Sequence, residues 1–518
     1  MKKIYLFAVM AMTASQIQAQ DVSAILDTYD AAALATEDLN GTARYVGMGG
    51  AMDALGADLS TMGANPAGIG LYRRGQVSAS MSVVMQQDGK SFQNGSKTHV
   101  SFDQAGVVFS TRSGKNGYLN FGFNYRKNRN FNYILSAVNA LNGSAQHRQT
   151  VLKDMNGLFN ARTPLPYSLL DDLYECNMVV GEDNQVYDYA GMDYQFDRAH
   201  TGYISEYDFN ISGNINNRLY LGLTVGIHNV NYKGYSEYHE QLSSTDFSHV
   251  FITDNHKISG YGYNVKAGII FRPLAESPFR IGAAVSTPTF YKLTTDNYTT
   301  FNGSVDYRNI SEDFRFNTPW KFSVSAGHTI GNNLAIGAVY EYADYGTCDM
   351  RTIDGYSYDY WTDTYDEDSS TDPVMKRHTE NTLKGVSTFK IGAEFKPDKN
   401  IALRVGYNYV SPIYQEKGVR DQTLQSPGVF YATTTDYTNW KDTHRFTAGV
   451  GFSFDQFRLD LAYQYSARKG DFYPFMEHYS AAYIDDVSGE TVTLTNSCKP
   501  VSVKDNRHQI MASVTYTF

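Results

Sequence analysis

The chain has 518 residues, a net charge of −10 and a negative mean hydropathy. An acidic chain is a poor partner for nucleic acid, which calls for clustered Lys and Arg. Its three cysteines (Cys176, Cys348 and Cys498) make neither a disulfide framework nor a metal knuckle.

Residues 1–19 read as a secretory signal: Lys2 and Lys3, an apolar run from Ile4 to Ala14, then Ile17-Gln18-Ala19 before Gln20. The apolar run is too short for a spanning helix, which needs ~20 residues, and no later segment supplies one. Residues 20–75 follow as a separate unit. A short helix is expected over Ile25 to Ala35, then a run of small residues, GMGGAMDALGADLSTMGANPAGIGLY, over 47–72. Ala51–Leu55 suits one or two helical turns. Asn65-Pro66 forces an extended or turn conformation, because proline disfavours the helical region for the residue before it. Gly63, Gly68 and Gly70 permit tight reversals. Such a segment can serve as a compact plug or as a loose N-terminus.

From residue 76 the pattern changes. Tyr and Phe total 70, and apolar residues alternate with small or polar ones, the period of a strand whose two faces meet different environments. Fourteen such runs can be drawn, at 76–86, 101–112, 117–126, 203–215, 218–230, 259–272, 279–290, 320–331, 334–345, 386–396, 401–410, 443–454, 457–467 and 507–518. The second alternates poorly and suggests a bulge. The gaps between runs alternate strictly between short ones rich in turn residues (SGKN, NN, PLAESP, NN, PDKN, DQ) and long ones, the longest being 127–202. Segregation of loop length by parity, an even strand count and strands of about ten residues predict an all-β fold: a 14-stranded antiparallel transmembrane β-barrel with both termini on the short-turn side. The apolar face then points to lipid and the polar face lines the lumen. The last strand ends in Phe518 with apolar residues at alternate positions, which resembles the signal read by outer-membrane assembly machinery.

Within 127–202, Leu152, Met155, Leu158 and Phe159 fit one helical face and Leu169, Leu170 and Leu173 another, with Ser168 and Asp171 in capping positions. These faces serve either as an apolar capture groove or as a lid packed on itself. Arg44, Arg73 and Arg74 flank the plug and are candidates to hold a ligand carboxylate, or to form structural ion pairs with a wall residue such as Asp103. The acidic, aromatic run YDYWTDTYDEDSSTD at 358–372 matches no calcium loop and reads as a solvated face. His239, His249 and His256 share the third outer loop; metal or haem ligation is one use for them, though scattered loop histidines usually have no such role. No nucleophile elbow appears.

The stretch ARYVGMGGAMDALGADLSTMGANPAGIG, together with GYGYNVKAGIIFRP, FRIGAAVSTP, TPWKFSVSAGH, LRVGYNYVSPIY and THRFTAGVGFSF, resembles the FadL/OmpP1/TodX family of outer-membrane transporters of hydrophobic compounds, in a Bacteroidetes-type form. The resemblance implies that Gly47, Gly49, Gly50, Asn65, Pro66, Ala67 and Gly68 mark an N-terminal hatch inside the lumen, spanning 20–75 before a barrel of 76–518. It implies a monomer in the outer membrane of a Gram-negative bacterium and a hydrophobic ligand such as a long-chain fatty acid, captured by the outer loops, where the helical faces at Leu152, Met155, Phe159, Leu169, Leu170 and Leu173 are the candidates, then held in the lumen near the hatch, where Arg44 and Arg73 are candidates, and passed on by way of the hatch. It also implies lateral exit where the third strand kinks, here near Lys127–Asn130. No cofactor, metal or enzymatic activity is expected. The largest outer loop follows the third strand, unlike the best-known members. Alternatives on the same fold are a scaffold or shuttle partner in type IX-like protein secretion, or a haem-binding receptor.

Overall fold

The computed structural model describes residues 2–5, 26–114, 116–155, 169–181, 185–245, 247–303, 307–361, 363–416, 418, 435–476, 481–485 and 489–518. Of the expected leader, only Lys2–Tyr5 is among them, as a short strand registered against Tyr187–Asp188 and Ile484–Asp485.

Fourteen antiparallel strands close on themselves, as alternation and loop parity predict. They are β1 (Gln76–Gln86), β2 (Thr98–Arg112), β3 (Tyr118–Asn130), β4 (Gly191–Ile215), β5 (Leu219–Leu242), β6 (His249–Phe271), β7 (Arg280–Ser286 continued by Phe290–Phe301), β8 (Tyr307–Asn317 continued by Lys321–Ile330), β9 (Leu334–Asp344), β10 (Gly385–Phe395), β11 (Ile401–Val410), β12 (Tyr437–Phe454), β13 (Phe457–Tyr473) and β14 (Val501–Thr517). First and last strands pair from Gln76↔Thr517 to Gln86↔Arg507, so no edge is left open. Along β5, Leu221, Leu223, Val225 and Ile227 face outward, while Gly222, Thr224 and His228 face the lumen. The same alternation on the other strands makes a continuous apolar belt suited to hydrocarbon. Short turns use residues that tolerate left-handed backbone: Asn216 and Asn217, both with φ near +54°, close β4 onto β5.

Several strands run well past the lengths that alternation suggests. β4 begins at Gly191 rather than 203, β5 reaches Leu242, and the expected loop at 291–319 is mostly strand. Backbone pairing continues above the belt, where no single face has to be apolar, so a hydrophobic period cannot register it. The expected loop 127–202 contains the end of β3, a strand at Tyr133–Gly143 paired with β4, and two helices. The register of β1 on β2 slips opposite Asp103, which is the bulge that the second run suggests. In β3 the register slips at Asn128. A larger interruption falls elsewhere, at Thr287-Pro288-Thr289 of β7 and the facing Thr318-Pro319-Trp320 of β8. Neither proline has an N–H for the ladder, and threonines repair the gap. Thr287 Oγ1 accepts from Val265 N–H at 3.0 Å, and Thr318 Oγ1 accepts from Thr289 N–H at 2.8 Å.

Residues 26–75 lie inside the barrel. Helix α1 (Thr28–Ala35) crosses the upper lumen, and α2 (Ala43–Gly47) and two 3-10 turns (Leu59–Gly63 and Pro66–Leu71) fill the lower part. Ala51–Leu55 gives one turn, closed by Gly56 N–H on Met52 O at 2.7 Å. Wall side chains bond the main chain of this plug: Ser212 Oγ donates to Pro66 O (2.8 Å), Asn120 Nδ2 to Ile69 O (2.7 Å) and Arg280 Nη1 to Leu55 O (2.9 Å). Where the plug backbone comes nearest, the wall residue is often glycine. At Gly222, Gly337, Gly392 and Gly406 an added Cβ would collide with plug backbone at Pro66, Ala51, Met48 and Gly49 respectively. Gly49 itself takes φ +63° and lies against the Tyr407 backbone.

Asn65-Pro66-Ala67-Gly68 earns its place by capping. Asn65 Oδ1 accepts from Ala67 N–H (3.1 Å), Nδ2 donates to Ile269 O on the wall (3.3 Å), and Pro66 sits where no N–H is needed. Asn65→Ala is expected to lower stability by about 1–2 kcal/mol, the usual effect of losing such a cap. A shift of the urea midpoint in detergent measures it.

Candidate functional site: the lumenal chambers

Helix α1 divides the upper lumen. Asp27 caps it, accepting from Asp30 N–H at 2.8 Å, and Thr28 Oγ1 bonds His378 Nδ1 (2.7 Å) and Thr379 Oγ1 (2.9 Å) of α5 (Pro373–Thr382), which hangs from the outer rim. Tyr29 stacks on Tyr414 with centroids 5.2 Å apart. Around α1 is a cavity of about 160 Å³ walled by Leu34, Phe131, Tyr133, Tyr232, Tyr414 and Trp440. That is enough for a single aromatic ring or part of an acyl chain.

A second cavity, of about 140 Å³, lies next to it and shares Thr36, Arg129, Ile413, Trp440 and Arg468 with the first. Its lining is ionic. Arg129 pairs with Asp38 (3.0 Å) and Arg445 approaches Asp38 at 4.0 Å, while Arg468, also on this lining, pairs with Asp505 behind it, which it shares with Arg507 of the first cavity, each at 2.8 Å. The first cavity is itself charged as well as aromatic: Arg129, Arg198, Arg468 and Arg507 stand there with Asp27, Asp30, Asp254 and Asp436. Arg468 also stacks over the Trp440 ring at 4.1 Å, which joins the apolar and ionic parts in one contact. Such a junction can hold a molecule with an apolar body and an acidic head.

The plug is held by ion pairs as well as by packing. Glu37 pairs with Lys321 on β8 at 2.6 Å. Arg44 pairs with Glu394 on β10 at 2.9 Å, and Glu394 also takes Arg404 at 2.7 Å. Arg44 is therefore a structural anchor. Its partner is Glu394 rather than Asp103, which instead accepts from Asn40 Nδ2 at 3.1 Å. Arg73 lies at the short-turn end, donating to Asn217 Oδ1 (2.7 Å) and covering the Tyr118 ring, while Arg74 is exposed beside it.

The residues expected to capture ligand lie in a closed cap over the barrel. Helices α3 (Arg148–Met155) and α4 (Leu169–Tyr174) pack on each other. Leu152, Met155, Leu169, Leu170 and Leu173 are all buried, most of them among the aromatics Tyr174, Tyr194, Phe196, Phe301 and Phe472. Lys153 and Thr150 of α3 both bond Asp171 of α4, at 2.5 and 2.8 Å. These leucines form the interior of a roof rather than an open groove. Phe159 and Leu158 lie outside the described residues. Of the three loop histidines, His256 lines the upper chamber and His239 stacks on Phe251. Among the described residues, no group of three His, Cys, Asp or Glu side chains could hold a metal ion.

The arginine cluster escapes simple motif reading because Arg129 of β3 lies more than 300 positions from Arg445, Arg468 and Arg507 of the neighbouring strands β12, β13 and β14. Two of them carried a usable signal: Arg445 and Arg507 occupy inward positions in runs whose other inward residues are mostly small or neutral.

No protein-family model matches the chain, and no curated protein matches it. Among solved structures it aligns over 93% of its length with 99% of a FadL homologue from Pseudomonas aeruginosa, at a TM-score of 0.52 and 11% identity. It aligns over the same share with 99% of the toluene transporter TodX of Pseudomonas putida (TM-score 0.48, 12% identity) and 99% of the toluene transporter TbuX of Ralstonia pickettii (TM-score 0.46, 13% identity). At these identities the likeness is one of fold.

Proposed function

We propose that this protein is an outer-membrane channel for the passive passage of hydrophobic small molecules, with the plug as its gate. The observation that carries the reading is the pair of adjoining chambers around α1, the first walled by aromatic rings and both carrying arginines, joined at Trp440 and Arg468. The apolar belt and the FadL-like fold support this reading. The ligand class that fits best is an apolar body with an acid group, of which a long-chain fatty acid is an example. Transport rather than catalysis follows from this reading, and the buried leucines of the cap act as its lid.

Uptake of radiolabelled oleate by cells expressing the protein tests the reading. Trp440→Ala is expected to reduce uptake at least fivefold and Arg468→Ala to reduce it for oleate but not for toluene. Uptake equal to that of cells lacking the protein, for both compounds, would refute the transport role.

A partner-binding scaffold is a second reading, favoured by one feature. The hairpin at Asp349–Thr371 carries Tyr360 and Trp361 at its tip, 88% and 96% exposed, which is unusual for rings of that size. Co-purification of a stoichiometric protein, lost on Trp361→Ala, distinguishes it from transport.

A further inference from the structure

At the short-turn end, below the plug, a recess of about 380 Å³ opens to solution. The end of the plug contributes Arg44, Arg73 and Arg74, and the wall contributes Lys396, Lys399, Arg404 and Arg458. The carboxylates nearby are few and already engaged. Glu394 is shared by Arg44, Arg404 and Lys396, and Asp460 by Arg404 and Arg458. Asp58 accepts from the Thr42 hydroxyl and Ser60 N–H, and Asp398 accepts from the backbone N–H groups of Asn400 and Ile401. Seven cations therefore stand against four carboxylates, an excess of three in a chain whose net charge is −10. On an open surface such charges would be spread apart and screened by salt. Here the plug and wall exclude water from two sides, which focuses their field into the recess.

We propose that this recess is an anion-binding site for a carboxylate or phosphate group, held between the end of the plug and the β10–β11 turn. Arg74 on the plug side and Lys396 and Lys399 on the wall side have exposed charges that face this space. An anion with two or more negative charges bridges them, as paired guanidinium and ammonium groups bind oxyanions. It would clamp the plug to the wall beside the Arg44–Glu394 pair. The anion has two sources by chemistry: the acid head of a molecule leaving the lumen, or a free oxyanion in the solution at that face. The site stands apart from the transport reading, because its occupancy is measured without any flux.

The test uses the full chain in a maltoside detergent, titrated calorimetrically with pyrophosphate. Binding is expected, and R74Q/K396Q/K399Q is expected to weaken it at least tenfold while K90Q, on the opposite rim, leaves it unchanged. As a second readout on the unaltered protein, pyrophosphate should slow acetylation of Lys396 and Lys399 at least fivefold by mass spectrometry. Laurate giving the same protection, with dodecanol giving none, assigns the site to the acid head of a conducted molecule. Protection by pyrophosphate alone assigns it to a free oxyanion. The site is refuted if neither pyrophosphate nor laurate protects the two lysines, or if the triple variant binds pyrophosphate as the parent does.

Discussion

Gly392→Val is expected to drive the plug from its seat while the barrel still closes. Gly392 lies on β10 facing the lumen, and an added Cβ there collides with the Met48 carbonyl and backbone rather than with a side chain that could turn away. Valine suits the strand itself, so the strain falls on the contact with the plug. Overpacking of this kind ordinarily destabilises by about 1–3 kcal/mol, and relief lies in moving residues 47–52 away from the wall. Two measurements follow. Conductance in planar bilayers should rise at least tenfold over the parent. Trypsin should cut after Arg44, which the parent protects. A variant with parental conductance and protease resistance would mean that the plug accommodates the methyl groups in place, and the tight seating inferred from the glycine wall would be wrong.

The second large effect is on stability. Glu206 of β4 is fully buried and pairs with Arg126 of β3 and Lys266 of β6, while Asp208 takes Lys266 at 3.2 Å. Removing one partner of a buried ionic group leaves the others uncompensated, at about 3–5 kcal/mol. Glu206→Ala is therefore expected to lower the urea midpoint of the folded barrel sharply, and the double variant Glu206→Leu with Lys266→Met to recover part of the loss by removing both charges. Band shifts on unheated gels report the folded fraction. Equal midpoints for parent and Glu206→Ala would show that water reaches the network and solvates it.

Much of the wall was legible in the sequence because each strand faces two media. Leu221, Leu223 and Val225 must meet hydrocarbon while Gly222 and Thr224 must not, and that demand writes a two-residue period. The short turns were legible for a similar reason: Asn216-Asn217 is needed where both residues take positive φ. The glycines at 47–50 were visible as a motif, though the matching glycines on the wall were not, since Gly222, Gly337, Gly392 and Gly406 are spread over 185 positions and meet the plug only once the barrel is closed. The cap leucines showed their helical period but not what they pack against, which is decided by aromatics as remote as Phe301 and Phe472. Arg44 was visible as a candidate, but its partner Glu394 depends on the path of the plug through three dimensions and leaves no local trace.

Helix α2 rests on the two strands that are made late and on the last one of all. Ala43 N–H donates to Ser513 Oγ at 2.6 Å, and Thr447 Oγ1 donates to Gly47 O at 3.1 Å. These contacts join residues 400 or more positions apart. The part of the chain that emerges first must therefore wait, unhoused, until nearly the whole polypeptide has been delivered. Lodging of the early segment and sealing of the cylinder then become a single late event, and a carrier that keeps residues 26–75 from sticking elsewhere in the meantime would be a natural requirement of biogenesis.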